Sequence, residues 1–284
     1  MTEPELAAPV APHRRRDREH SHFPREHSLF PREHGASMEL LFPLLTAFAL
    51  GRPTLAGIAF AVATILVFVS HEAVLVLLGR RGQPFLAKRG AEARRLLLAL
   101  LTPAFLLGVG SLATLSDGAR AAVLVPSILA IPAWIVALRR ESQRTLFVEL
   151  WVGAALASVA LPIALDAGLS LPRAASLVAV WTVSHWLGTV AARAVLYRAK
   201  DGGRGLALSR ALGALVLLVC LGIFVHGRAT GSTLAWIALT PMPWALCALY
   251  LASRPPPPTR MRAIGYGLVG ASILSSALVL ALPW

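Results

Sequence analysis

The chain has 284 residues, of which 56% are hydrophobic before glycine is counted and only 14% are charged. A soluble domain averages about 45–50% apolar with glycine included and about 25% charged, so a soluble globular enzyme is excluded and a polytopic membrane protein is expected. The net charge of +13 does not point to nucleic acid, because the basic residues form no single patch and fall in short clusters between long apolar runs.

Residues 1–30 read as a disordered tail, rich in Pro, Arg, Glu and His and too poor in apolar residues to fold. The tail holds a seven-residue repeat. Arg18-Glu19-His20-Ser21-His22-Phe23-Pro24 is followed by Arg25-Glu26-His27-Ser28-Leu29-Phe30-Pro31, and a third start, Arg32-Glu33-His34-Gly35, runs into the first apolar segment. A proline in each unit excludes a continuous helix. The repeated Glu-His pairs are poor metal ligands, since a flexible tract offers no fixed geometry. No apolar h-region is visible, so a cleavable signal peptide is not expected.

Nine apolar segments follow, at roughly 33–51, 54–78, 95–115, 120–138, 145–165, 173–198, 206–226, 232–252 and 263–283. Each is near the ~20 residues that cross ~30 Å of hydrocarbon at ~1.5 Å per residue. The expected fold is therefore all-α: residues 31–284 form one bundle of nine transmembrane helices. Pro31 suits the first position of segment 1, Glu33 complements its dipole, and Arg32, Glu33 and His34 fall in the headgroup zone.

Orientation follows from charge. Twenty-two of the 27 Lys and Arg lie in the tail and in alternate loops, while the other loops carry one each: Arg52, Arg120, Arg173 and Arg228. That asymmetry places the N-terminus in the cytoplasm and the C-terminus outside. Tyr197, Tyr250 and Tyr266 fall at the cytoplasmic helix ends, where aromatic belts sit.

Ionisable residues inside apolar spans are costly and are the first functional candidates. His71 and Glu72 lie in segment 2, some eight residues before Arg80, or ~12 Å into the bilayer. Being adjacent, they diverge by ~100° around the helix. Glu39 lies one to two turns into segment 1. Glu149 lies one turn into segment 5 and begins a small-residue row with Gly153 and Ala157, which points it at another helix. Trp181, His185, Thr189 and Arg193 recur every four residues along segment 6. For each, the plainer reading is a side chain reaching water or satisfied by helix packing. Segments 1, 2, 5 and 6 all place such groups in the cytoplasmic half, however, which gathers them around one polar cavity open to the cytoplasm. Cys220 and Cys247 lie inside apolar runs with no metal or redox spacing. No phosphate loop, dinucleotide fingerprint, HExxH or GxSxG is present, so no metal and no cofactor is expected. The expected partners are membrane lipids and a lipidic or anionic small molecule.

Pro31-Arg32-Glu33-His34-Gly35-Ala36, leading straight into a membrane helix, resembles the opening of the YwiC-like family, bacterial multi-span proteins of uncharacterised function. Where that family shows Trp after Gly-Ala, this chain has Ser37. The resemblance extends loosely across segments 2 to 6 and implies a multi-pass protein of the bacterial inner membrane. A weaker resemblance is to the UbiA prenyltransferase superfamily, which has nine spans and a cytoplasm-facing cavity. Arg144-Thr145 with Glu149 is similar to the start of its fifth span. Those enzymes hold a metal-bound diphosphate on Asp-rich motifs, whereas this chain has His71-Glu72 with Gly79-Arg80-Arg81 at the first place and only Asp201 near the second. The readings that follow are a ligand-binding membrane protein, a UbiA-like transferase with His71 or Glu72 as acid/base, a transporter, or a partner subunit. An odd count of nine argues against two equal transporter repeats.

Overall fold

Hydrocarbon offers backbone amides no partner, and every apolar segment of the sequence is accordingly helical. The computed structural model describes residues 34–138, 145–198, 203–257 and 261–283. The tail, Pro31, Arg32 and Glu33 lie outside the described residues. In chain order the helices are α1 (His34–Leu50), α2 (Leu55–Leu77), α3 (Gln83–Thr114), α4 (Asp117–Ala122), α5 (Leu124–Leu138), α6 (Leu146–Ser158), α7 (Ala160–Asp166), α8 (Leu171–Tyr197), α9 (Arg204–Ala229), α10 (Met242–Ser253) and α11 (Met261–Ala281), with a 3-10 helix, Thr233–Leu239, before α10. Among the described residues there is no strand.

Seven stretches are long and apolar enough to cross a membrane: Leu55–Leu77, Gln83–Thr114, Leu146–Asp166, Leu171–Tyr197, Arg204–Ala229, Ala235–Ser253 and Arg262–Ala281. The 17-residue α1 is shorter, and segment 4 is divided into α4 and α5. Proline accounts for the divisions. Pro126 has no N–H for the Ala122 carbonyl, and the helix breaks at Val123; Pro162 does the same to Ser158 beside the break at Val159. Pro43, inside α1, cannot bond the carbonyl of Glu39.

Local chemistry sets the helix ends. Thr54 caps α2 by accepting from the Gly57 amide at 2.9 Å, and Thr145 caps α6 by accepting from Val148 at 3.3 Å. At its other end α2 closes on Gly79, whose φ of +68° suits glycine; the Gly79 and Arg80 amides return to Val76 and Leu75, each at 2.9 Å. The following α3 has 32 residues and is ~48 Å long, well over the ~30 Å of hydrocarbon. Its first turns, which carry Lys88, Arg89, Arg94 and Arg95, therefore extend beyond the apolar layer. Segment 3 was expected from residue 95; the helix begins earlier because Phe85, Leu86 and Ala93 pack on Ala73 and Val76 of α2.

Burial separates centre from rim. More than half of the apolar stretch is buried in α8 and in Ala235–Ser253, but only 11% in α3 and 17% in α9. The outward residues of the rim are large and apolar, among them Leu98, Phe105, Leu106, Leu215, Leu218, Ile223, Ile273 and Leu274. So wide an exposed apolar belt suits lipid and not water. Two cores flank α8. One joins Leu40 and Leu44 of α1 to Ala157, Ile163, Leu177 and Trp181; the other joins Val195 to Trp244, Ala245, Ala248 and Ile264. The indole of Trp244 lies so close on Gly188 that a Cβ there would come within 2.2 Å of the ring.

Polar contacts tie the two ends of the bundle. At the arginine-rich end, Arg210 Nε donates to the Ala252 carbonyl and Arg198 Nη1 to the Pro255 carbonyl, both at 3.1 Å, covering the C-terminal end of α10. At the opposite end the Asp166 carboxylate accepts from the Thr54 hydroxyl and, at 3.0 Å, from the Ser116 amide. One side chain thus joins three connections between helices.

Candidate functional site at the junction of α1, α6 and α8

Helices α1 and α6 start, and α8 finishes, at the same end of the bundle, the end that carries Arg198 and Arg210. Glu39 lies in the second turn of α1, Glu149 in the first turn of α6, His185 just past the middle of α8 and Arg193 in its last third. Gly153 brings the three helices together. A Cβ built on it would stand 3.4 Å from His185 Cβ and 4.0 Å from Glu39 Oε2. The glycine is buried, so a longer side chain would occupy the space between the acid and the imidazole.

Arg193 Nη1 donates to Glu149 Oε1 at 2.7 Å, a charge-assisted bond between α8 and α6. Its guanidinium also lies over the Tyr197 ring, 4.9 Å from the centroid. Both members of the ion pair keep part of their surface accessible, with side chains 23% and 36% exposed. His185 is buried, with Nδ1 3.5 Å from the Gly153 carbonyl oxygen, at the outer limit of a hydrogen bond. It sits in an aromatic column: Phe42 stacks on Trp181 at 5.8 Å, Trp181 lies tilted by 36° against His185 at 5.8 Å, and Trp244 meets His185 edge-on at 6.3 Å. Trp181 Nε1 donates to Thr46 Oγ1 at 2.9 Å, holding the column against α1 one turn after Pro43. Trp186 Nε1 donates to the Leu150 carbonyl at 2.7 Å and fixes α8 against α6 a turn away.

The structure brings two of the sequence-derived candidates, Glu39 and His185, to Gly153 and pairs two others, Glu149 and Arg193, between α6 and α8. The four-residue stripe of α8 points inward, with Trp181 and His185 buried and Thr189 and Arg193 half-buried. Segment 2 requires a correction. It does not share this junction: α2 packs mainly along α3, and Glu72 forms a bidentate pair with Arg81 in the turn after its own helix, at 2.5–3.1 Å. His71, one residue earlier, is exposed on α2. Glu72 closes the hairpin, because Arg81 folds back onto it over the Gly79 turn. Arg32 and Glu33 lie outside the described residues, as does the side chain of His34. Two open cavities, of about 210 and about 450 Å³, lie at the other end of the bundle, beside Leu50 and Arg173.

Sequence reasoning did not weigh Tyr197 or Trp244 for the site. Tyr197 continues the α8 stripe by one more step of four, so the same periodicity would have found it. Nothing in the sequence marks Trp244, which reaches the column only because Gly188 leaves room.

Residues 30–164, just under half the chain, match the YwiC-like protein family. The matched stretch contains Glu39, His71, Glu72, Glu149 and Gly153, while His185 and Arg193 lie after it. No curated protein matches the chain, and no solved structure matches it.

Proposed function

We propose that this chain, YwiC-like over residues 30–164, is a nine-span protein of the bacterial inner membrane that binds the polar or anionic head of a small or lipidic ligand from the cytoplasmic side. The observation that carries the reading is the pairing of Arg193 of α8 with Glu149 of α6, next to the approach of Glu39 and His185 to Gly153 on the same helices and α1. Helix packing alone needs no charge here. Each ionised group placed on lipid near the bilayer centre is penalised by about 2.5–3.5 kcal/mol on insertion scales.

The nine-span topology is supported by the seven stretches long enough to span, by the shorter α1 and the divided α4–α5 in the places of segments 1 and 4, and by the alternation of basic loops. Under it, α1 and α6 begin and α8 ends at the cytoplasmic face, and the ion pair lies one turn inside it. Arg193 is then the anion-binding group. Its guanidinium is aimed by Glu149 and by the Tyr197 ring, and an incoming phosphate or carboxylate can exchange for the glutamate without moving the helix. Glu39 and His185 supply acceptor and donor positions on the far side of Gly153 for the uncharged part of a head group.

Lipid and metabolite profiling tests this. A deletion strain complemented with the intact chain should regain the profile of the parent strain, and one complemented with Arg193→Gln at equal membrane abundance should not. Equal restoration by both would remove the junction as the binding site.

A further inference from the structure

Four arginines belong to the arginine-poor side of the molecule: Arg52, Arg120, Arg173 and Arg228. Two are engaged within the chain. Arg120 Nη2 donates to the Leu115 carbonyl at 3.0 Å and its Nη1 lies 3.6 Å from Asp117. The Arg228 guanidinium lies over the Trp236 ring, 5.0 Å from the centroid. Arg52 and Arg173 differ. Both are exposed, and neither side chain has an ion-pair or hydrogen-bond partner among the described residues. They come from opposite ends of the α1–α8 sequence, yet both line one cavity of about 450 Å³. A second cavity of about 210 Å³ shares Arg173, Leu50 and Leu169 with it and is bounded by Leu282 and Pro283.

The floor of the larger cavity is fixed. The Arg52 amide donates to the Ala167 carbonyl at 2.9 Å, and Gly51 approaches Ala167 so closely that a Cβ would come within 2.4 Å. Asp166, the nearest acid in sequence, is committed to the Thr54 hydroxyl and the Ser116 amide. Arg173 stands in the first turn of the 27-residue α8, where backbone amides add positive potential to that of the two guanidinium groups. One lobe is thus cationic and the adjoining lobe is walled by leucine and proline. Their volumes suit one small amphiphile, since ligand cavities span about 300–1,000 Å³.

We infer that this double cavity is a second ligand site, which holds the phosphate of an anionic phospholipid on Arg52 and Arg173, with the lipid's apolar part along Leu50, Leu169, Leu282 and Pro283. Forked guanidinium groups suit phosphate oxygens, and two of them match one phosphate better than an acidic side chain that the chain itself does not supply. The site is at the opposite end of the bundle from the Glu149–Arg193 pair and does not depend on it. In the proposed topology its lipid comes from the outer leaflet.

The test uses the full chain in nanodiscs containing phosphatidylglycerol or phosphatidylcholine, with retained lipid counted by native mass spectrometry. The intact protein should retain phosphatidylglycerol selectively. Joint replacement by Arg52→Gln and Arg173→Gln should weaken that retention by about tenfold or more. Arg120→Gln, whose side chain is engaged elsewhere, should retain it fully. Should the double variant not fold, Arg173→Lys is read in its place, because it keeps the charge and loses the fork; unchanged retention there overturns the proposal. Equal retention of the two lipids by the intact protein overturns it also. So does stabilisation of the delipidated protein by inorganic phosphate, sensitive to the arginines, in the absence of any phosphatidylglycerol preference; that result assigns the site to a soluble anion.

Discussion

The Glu149–Arg193 pair lends itself to a thermodynamic cycle, because its two members sit on different helices and meet at 2.7 Å. Their side chains are 36% and 23% exposed. That is too open for the about 3–5 kcal/mol lost when one partner of a fully buried pair is removed. It is too sheltered for the about 0–1 kcal/mol of a surface pair. Polar contacts between membrane helices average about 0.6 kcal/mol and reach about 1.7, and bonds to charged groups contribute about 1.5–3. A coupling energy of about 1–2 kcal/mol follows from these bounds. Glu149→Gln, Arg193→Gln and the double variant would be unfolded reversibly in mixed micelles and the cycle closed. As an internal control, Glu72→Gln combined with Arg193→Gln should be additive within about 0.5 kcal/mol, because Glu72 pairs with Arg81 on another part of the molecule. A Glu149–Arg193 coupling no larger than that of the control pair, with both single variants folded, would refute the claim that the glutamate aims the arginine.

Gly188→Ala should destabilise the protein by about 1–3 kcal/mol, since the new methyl meets the Trp244 ring at 2.2 Å, whereas Gly222→Ala, with open space around it, should leave thermal unfolding in detergent unchanged or slightly raised. Glu72→Gln and Arg81→Gln should each speed amide exchange across residues 78–90 to a similar extent and leave the lipid and metabolite profile intact, because they loosen the α2–α3 turn and not the site. Cysteine labelling should find residues 82–90, 199–205 and 255–260 on the cytoplasmic side and 116–119, 166–171 and 227–231 outside; labelling of 82–90 from outside would reverse the proposed orientation, since that stretch belongs to the largest basic loop.

The helices were legible because a period of apolar residues and a span of about 20 are imposed by the bilayer itself. Their interruptions were partly legible: Pro126 and Pro162 stand in the sequence, but which carbonyl each would orphan appears only once the helix register is known. The inward stripe from Trp181 to Arg193 and the row from Glu149 through Gly153 to Ala157 could be read from steps of four, because helix geometry puts such residues on one face. What a single helix cannot disclose is its neighbour. Glu72 was grouped with Glu39 and Glu149 by depth alone, and depth does not distinguish an acid that turns toward the bundle from one that Arg81, nine residues on, has already claimed. The early start of α3 escaped for a related reason, as Phe85 and Leu86 gain their shelter from α2 and not from lipid.

Asp166 has a consequence for how the molecule is made. Its partners Thr54 and Ser116 precede it by 112 and 50 residues. At a synthesis rate of about 5–20 residues per second, the Thr54 hydroxyl emerges roughly 6–22 s before the carboxylate it will bind. During that interval the first two helical hairpins enter the membrane with their far-side loops untied, and packing within each hairpin alone holds them. The arrival of a single aspartate at the end of α7 then fastens three loops at once. Those three connections are thus joined by one residue somewhat past the midpoint of translation, and the segments after it are added to a face already tied.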